Sequence, residues 1–150
     1  MDNFSFIKHF GEVLGLNLDF NPEGTYLFEI DGLAFAIHDL GNCHRIILSG
    51  NIGHPPPDND EKLFKTLLEA QYMLKGTSGA TFSINPDTGE LMLCKVIVPA
   101  ILDNDSFLQE TENFVNALHS WANIIRNYRS ETSMKNEEHD VFLNSGFLTV

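Results

Sequence analysis

The periods of hydrophobicity along the 150 residues predict an α+β fold. Its order is helix-strand-strand-strand-helix-strand-strand-helix, with a mainly antiparallel twisted sheet. Two observations carry this. Apolar residues recur every three or four positions in three stretches and every two positions in five others. The strand-like stretches are also joined by turns too short for a crossover, so neighbouring strands must run antiparallel.

The first helix spans Asp2 to Leu14, where Phe6, Ile7, Phe10, Val13 and Leu14 form one face and Gly15 offers a C-terminal stop. After a turn at Asn21 to Gly24 the period becomes two. Tyr26, Phe28 and Ile30 share one face of a strand, and Leu33, Phe35 and Ile37 share one face of the next, with Asp31 and Gly32 as the hairpin turn between them. Gly41 and Asn42 separate a third strand, His44 to Ser49. Gly53 to Pro57 holds three consecutive prolines and cannot be regular structure, because proline lacks a backbone donor and restricts the residue before it.

A second helix starts from a cap at Asp58, Asn59 or Asp60. Leu63, Leu67, Ala70 and Leu74 form its stripe, with Phe64, Leu68 and Gln71 beside it, and Gly76 to Gly79 ends it. Ala80 to Asn85 and Leu91 to Val98 make a second hairpin around Pro86 to Gly89. The latter strand is apolar on both faces, so it sits centrally or is covered by a partner. Pro99 ends it, and the longest helix begins near Asp103. Phe107, Thr111, Phe114, Leu118, Trp121, Ile125 and Tyr128 recur at steps of four and three. Acidic residues at its start and Arg126 and Arg129 at its end suit the helix dipole. Ser130 to Asp140 is polar and acidic with no apolar period. The chain therefore divides into a domain, 1–129, and an acidic tail, 130–150, expected to be mobile.

Composition limits the function classes. Nine basic against twenty-one acidic residues give a net charge of −12, which repels phosphate backbones and anionic lipid and argues against nucleic-acid and membrane-surface partners. No apolar run reaches the ~20 residues of a membrane span. The start, Met1 to Phe4, lacks the basic and apolar regions of a secretory signal, and the two cysteines are too few for a disulfide framework, so a cytoplasmic location is expected.

Chemistry-bearing motifs are weak. His38, Cys43 and His44 are close in sequence but lack paired-ligand spacing, so no metal is expected. Cys43 with His119 could act as nucleophile and base only if folding joined them. Asp58 to Glu69 imitates a calcium loop in length, yet Lys62 and Leu63 stand where a ligand and the turn glycine are required. Gly76 to Gly79 is too short for a phosphate loop. No enzyme activity and no cofactor are expected. Surplus apolar surface is the stronger signal: one face of the first three strands meets the helices, while Leu27 and Ile47 point away from that core.

The stretch Gly76 to Leu93 resembles the most recognisable segment of class I type III secretion chaperones, the Tir chaperone (CesT) family. There a helix ends in a small residue and is followed by a short strand, an acidic glycine turn and an apolar strand. Leu67 to Gln71, before this stretch, and Pro99 with the long amphipathic helix after it also resemble the family, over about Phe4 to Arg129. The resemblance implies a cytoplasmic homodimer with no ATPase activity of its own. It would bind an N-terminal, non-globular segment of a cognate effector and keep that segment soluble and presentable to the secretion ATPase. Two alternatives are a regulatory binding protein of the same fold, which sequesters a secretion regulator, and a small enzyme. Expected effector contacts are Ile7, Phe10, Leu14, Leu16, Leu18, Phe20, Leu27 and Ile47, which offer apolar pockets beside an edge strand. Leu67, Gln71, Leu74 and Leu93 are expected near the dimer interface.

Overall fold

A computed structural model describes residues 3–16, 23–58 and 60–144, with the backbone alone at Phe4 and 136–144. The elements are α1 (Asn3–Leu14), β1 (Thr25–Ile30), β2 (Leu33–Leu40), β3 (Arg45–Gly53), α2 (Asp60–Gln71), β4 (Thr81–Ile84), β5 (Leu91–Ile97) and α3 (Asn104–Asn144). This is the order that the periodicity predicts. The strands form a single antiparallel sheet ordered β1-β2-β3-β5-β4. β5 lies between β3 and β4, which accounts for a strand apolar on both faces.

Local chemistry fixes the turns. Asp31 and Gly32 have φ of 50° and 79°, the doubly left-handed pair that matches the twist of a two-residue hairpin. The resulting register sets Phe28 opposite Phe35 and Leu27 opposite Ala36, so the two faces of the sheet follow from one turn. At the other hairpin Asn85 and Glu90 close the loop, with the Asn85 N–H donating to the Glu90 carbonyl at 2.8 Å.

α1 and α3 cover one face of the sheet. Phe10 packs edge-on to Phe28 at 5.8 Å between centroids and lies 6.5 Å from Phe35, while Phe35 lies 5.8 Å from Phe114 of α3. Phe6 lies 5.5 Å from Phe107, which joins the two helices. The predicted stripe of α3 is the buried one: Phe107, Thr111, Phe114, Leu118, Trp121 and Ile125. Gly50 of β3 permits its close approach, because a Cβ there would stand 2.4 Å from a Leu118 methyl. Asp103 caps the helix, its carboxylate accepting from the Ser106 N–H at 2.8 Å. At the far side of the sheet, the Trp121 ring meets Phe82 edge-on at 4.8 Å and its Nε1–H donates to the Gly76 carbonyl at 3.0 Å.

Three boundaries differ from expectation. β3 runs on to Gly53 rather than ending at Ser49, since Gly50 and Asn51 still find partners in Leu93 and Met92 of β5. α2 stops at Gln71, before the predicted Leu74. A 3₁₀ segment, Tyr72–Thr77, follows, in which Met73 and Leu74 turn left-handed at φ of 56° and 58°. α3 continues past Arg129 to Asn144, because neither glycine nor proline interrupts 104–144 and glutamate, lysine and methionine favour helix without an apolar stripe. Among the described residues no helix is long and apolar enough to cross a membrane.

Candidate functional site

Strand alternation places Leu27 and Ala36, then Ile47 and Val96, on the face of the sheet opposite α1 and α3, here termed the outer face. Ile47 and Val96 stand directly opposite one another across β3 and β5, and Leu27 lies two strands from Ile47, on edge strand β1. Leu27 is 78% exposed and Val96 52%, with Ile47 half-buried between its neighbours. Met92 and Cys94 of β5 continue this face, both half-buried. It is an apolar surface without a catalytic group at its centre.

A polar relay around His38 lies on the same face. Nδ1 lies 3.1 Å from the Thr25 hydroxyl and Nε2 lies 2.8 Å from the Ser49 hydroxyl. Burial pushes the imidazole below its ordinary value of about 6.5, so it is neutral at pH 7. The Ser49–His38 distance suits a nucleophile and its base, but among the described residues the ring is oriented by a hydroxyl and no carboxylate is bonded to it. The arrangement holds three strands in register. Sequence reading missed it because Ser49 meets His38 only diagonally across β2 and β3.

The other chemical candidates separate. Cys43 and His44 are exposed on a 3₁₀ turn, away from the hydroxyl partners of His38. His119 lies 3.7 Å from the Asp31 carboxylate, bridging α3 to the first hairpin. The calcium-like stretch is mostly the helix α2, in which Lys65 pairs with Glu69.

The expected effector contacts fall into four groups. Ile7 and Phe10 of α1 are buried in the core of the single chain. Leu14 and Leu16 are exposed where α1 ends. Leu18 and Phe20 lie outside the described residues. Leu27 and Ile47 occupy the outer face, across the sheet from α1. The structure therefore does not gather all eight into one groove.

The expected interface residues also differ in exposure. Leu67 and Leu93 are buried in the core of the single chain, and the Gln71 side chain accepts from the Phe82 N–H at 2.6 Å. Only Leu74 is exposed. The displayed stripe is one position round the helix: Phe64, Leu68 and Tyr72, with Lys65 and Glu69 alongside. Leu68 is 66% and Tyr72 73% exposed, and Met73, the next residue along the chain, is exposed as well. The signal was present in the sequence as a second row at four-residue steps.

The model of the Tir chaperone protein (CesT) family matches residues 5–122. Solved structures share the fold at low sequence identity. One is the HopA1-SchA chaperone-effector complex, at 16% identity and a TM-score of 0.65, covering 80% of this chain and 92% of the other. Another is the ExsC-ExsE complex, at 18% identity and a TM-score of 0.68, covering 83% and 97%. A third is the Yersinia pestis type III secretion chaperone SycH with a stable fragment of YscM2, at 13% identity and a TM-score of 0.60, covering 78% and 97%. No curated protein sequence matches the chain.

Proposed function

The chain belongs to the Tir chaperone protein (CesT) family, and on that premise we propose that it is a cytoplasmic, homodimeric chaperone for a type III secretion effector. It holds an N-terminal, non-globular segment of that effector soluble and presents it to the secretion ATPase. The observation that carries this reading is the apolar outer face, with Leu27 and Val96 in solvent on a sheet whose other face is already filled. An extended segment can pair with the edge of β1 beside Leu27, and a continuation laid across the outer face would set side chains against Ile47 and Val96. The solved chaperone-effector complex of the same fold supports it.

Dimerisation has its own surface in this reading. Phe64, Leu68 and Tyr72 form an apolar patch at the end of α2, with Met73 exposed next in the chain. Met73 and Leu74 adopt consecutive left-handed conformations, each costing about 1–2 kcal/mol for a residue with a Cβ. A second copy that buries these side chains offsets that strain.

The test is capture of partners by the tagged chain in its native bacterium, alongside Leu27→Asp/Val96→Asp. A secreted effector that co-purifies with the wild-type chain and is lost from a folded double variant supports the reading. Capture of a non-secreted regulator would favour the regulatory function, and undiminished capture by the variant would remove the outer face.

A further inference from the structure

We infer that a groove at the end of the sheet, separate from the outer face and the α2 patch, binds an acidic, apolar-anchored segment of a protein partner. The groove has a volume of about 760 Å³ and lies between the second half of α3, the start of β2 and the end of β3. Leu33 and Ile52 form its floor, and Met134 stands exposed at its mouth. Arg126 and Arg129, one helical turn apart, rise along one wall with Ser130 and Ser133.

Charge makes this wall exceptional. The chain carries −12, and two of its three arginines, Arg45, Arg126 and Arg129, converge here. Lys8, Lys65 and Lys95 each pair with a glutamate of the chain, whereas neither groove arginine has a carboxylate within ion-pair distance among the residues whose side chains are described. The sequence supplies none at the helical neighbours, since the positions three and four away from either hold Ala122, Asn123, Ile125, Thr132, Ser130, Ser133 and the other arginine. Arg126 spends one Nη1–H on the Asn123 side-chain oxygen at 3.2 Å and keeps the rest of its fork.

Guanidinium forks match carboxylates in a bidentate geometry, and the adjoining hydroxyls can bind the same oxygens or a peptide backbone. The floor suits one or two apolar side chains. Because the surrounding surface is acidic, a polyanion such as nucleic acid is repelled at range, while a segment with a few carboxylates beside an apolar anchor is not. The open, trench-like form and apolar floor favour such a segment over a compact phosphate ligand. The inference does not depend on the effector reading, since Leu27, Ile47 and Val96 do not line the groove.

The probe is a fluorescein-labelled dodecapeptide with two phenylalanine–glutamate pairs in a glycine–serine background, measured by anisotropy on the full chain. Saturable binding is expected, weakened by salt and reduced at least about ten-fold when glutamine replaces glutamate in the peptide. Arg126→Gln/Arg129→Gln should give the same loss with an unchanged circular dichroism spectrum, as both side chains are exposed. Ser133→Trp, which fills the groove without altering charge, should also abolish binding, whereas Leu27→Asp/Val96→Asp should not. Absence of saturable binding, or equal binding to the glutamine variant, would overturn the inference. Arginine-dependent binding of inorganic pyrophosphate without peptide binding would replace it with a phosphate site.

Discussion

Gly50 and His38 show how single positions hold the sheet. A methyl at Gly50 would run into Leu118, which is itself buried in the core, so relief requires α3 to shift. Gly50→Ala should therefore cost about 1–3 kcal/mol of unfolding free energy by urea titration. Adding Leu118→Ala should cost less than the sum of the two changes, because the cavity accepts the new methyl. His38 links stability to pH. Its folded value lies below the ordinary 6.5 of the unfolded chain, so below about pH 6.5 the unfolded state takes up a proton first and stability falls. The loss is complete once pH drops beneath the folded value. His38→Gln should flatten the decline of melting temperature on moving from pH 7.5 to pH 5.5, and an unchanged slope would show that the imidazole contributes nothing. Neither feature was legible in the sequence: Gly50 falls just past the expected end of the third strand, and the hydroxyls around His38 arrive from two other strands.

Elements were far more legible than their ends. Strict periods identified all three helices and five strands, and the Asp31 and Gly32 turn fixed the register of the first hairpin. Ends were hidden because local rules compete there. Met73 and Leu74 continue an apolar pattern that the backbone abandons, while the polar stretch after Arg129 stays helical on propensity alone. That polar half of α3 should contribute little to stability. Ile125 is the last fully buried side chain on the described part of the helix, so removing 136–150 should change unfolding free energy by less than about 0.5 kcal/mol. A larger loss would place the final residues on the core. α2 presents two apolar rows, and the sequence alone did not say which was spent on the chain's own core. Leu63 and Leu67 are buried while Leu68 and Tyr72 are displayed, so Leu68→Asp/Tyr72→Asp should yield a folded monomer by light scattering in place of the dimer proposed for the parent. A dimer that survives this change would put the interface elsewhere.

At the scale of the whole molecule, one face of the sheet is filled by α1 and α3, and the other exposes Leu27 and Val96, the surface proposed for a partner. A net charge of −12 keeps such a surface soluble without a permanent occupant. The outer face was legible as surplus apolar residues in the first three strands, with Leu27 and Ile47 already expected away from the core. Val96 escaped because β5 joins that face only when the two hairpins merge into one sheet. The most direct test of the central claim is limited proteolysis and light scattering of the chain purified together with its partner from native cells. A dimer of this chain that protects an N-terminal stretch of a secreted protein, one that is digested freely when alone, is the predicted result. A monomer bound to an independently folded domain, whose protease resistance is the same with or without this chain, would contradict the account.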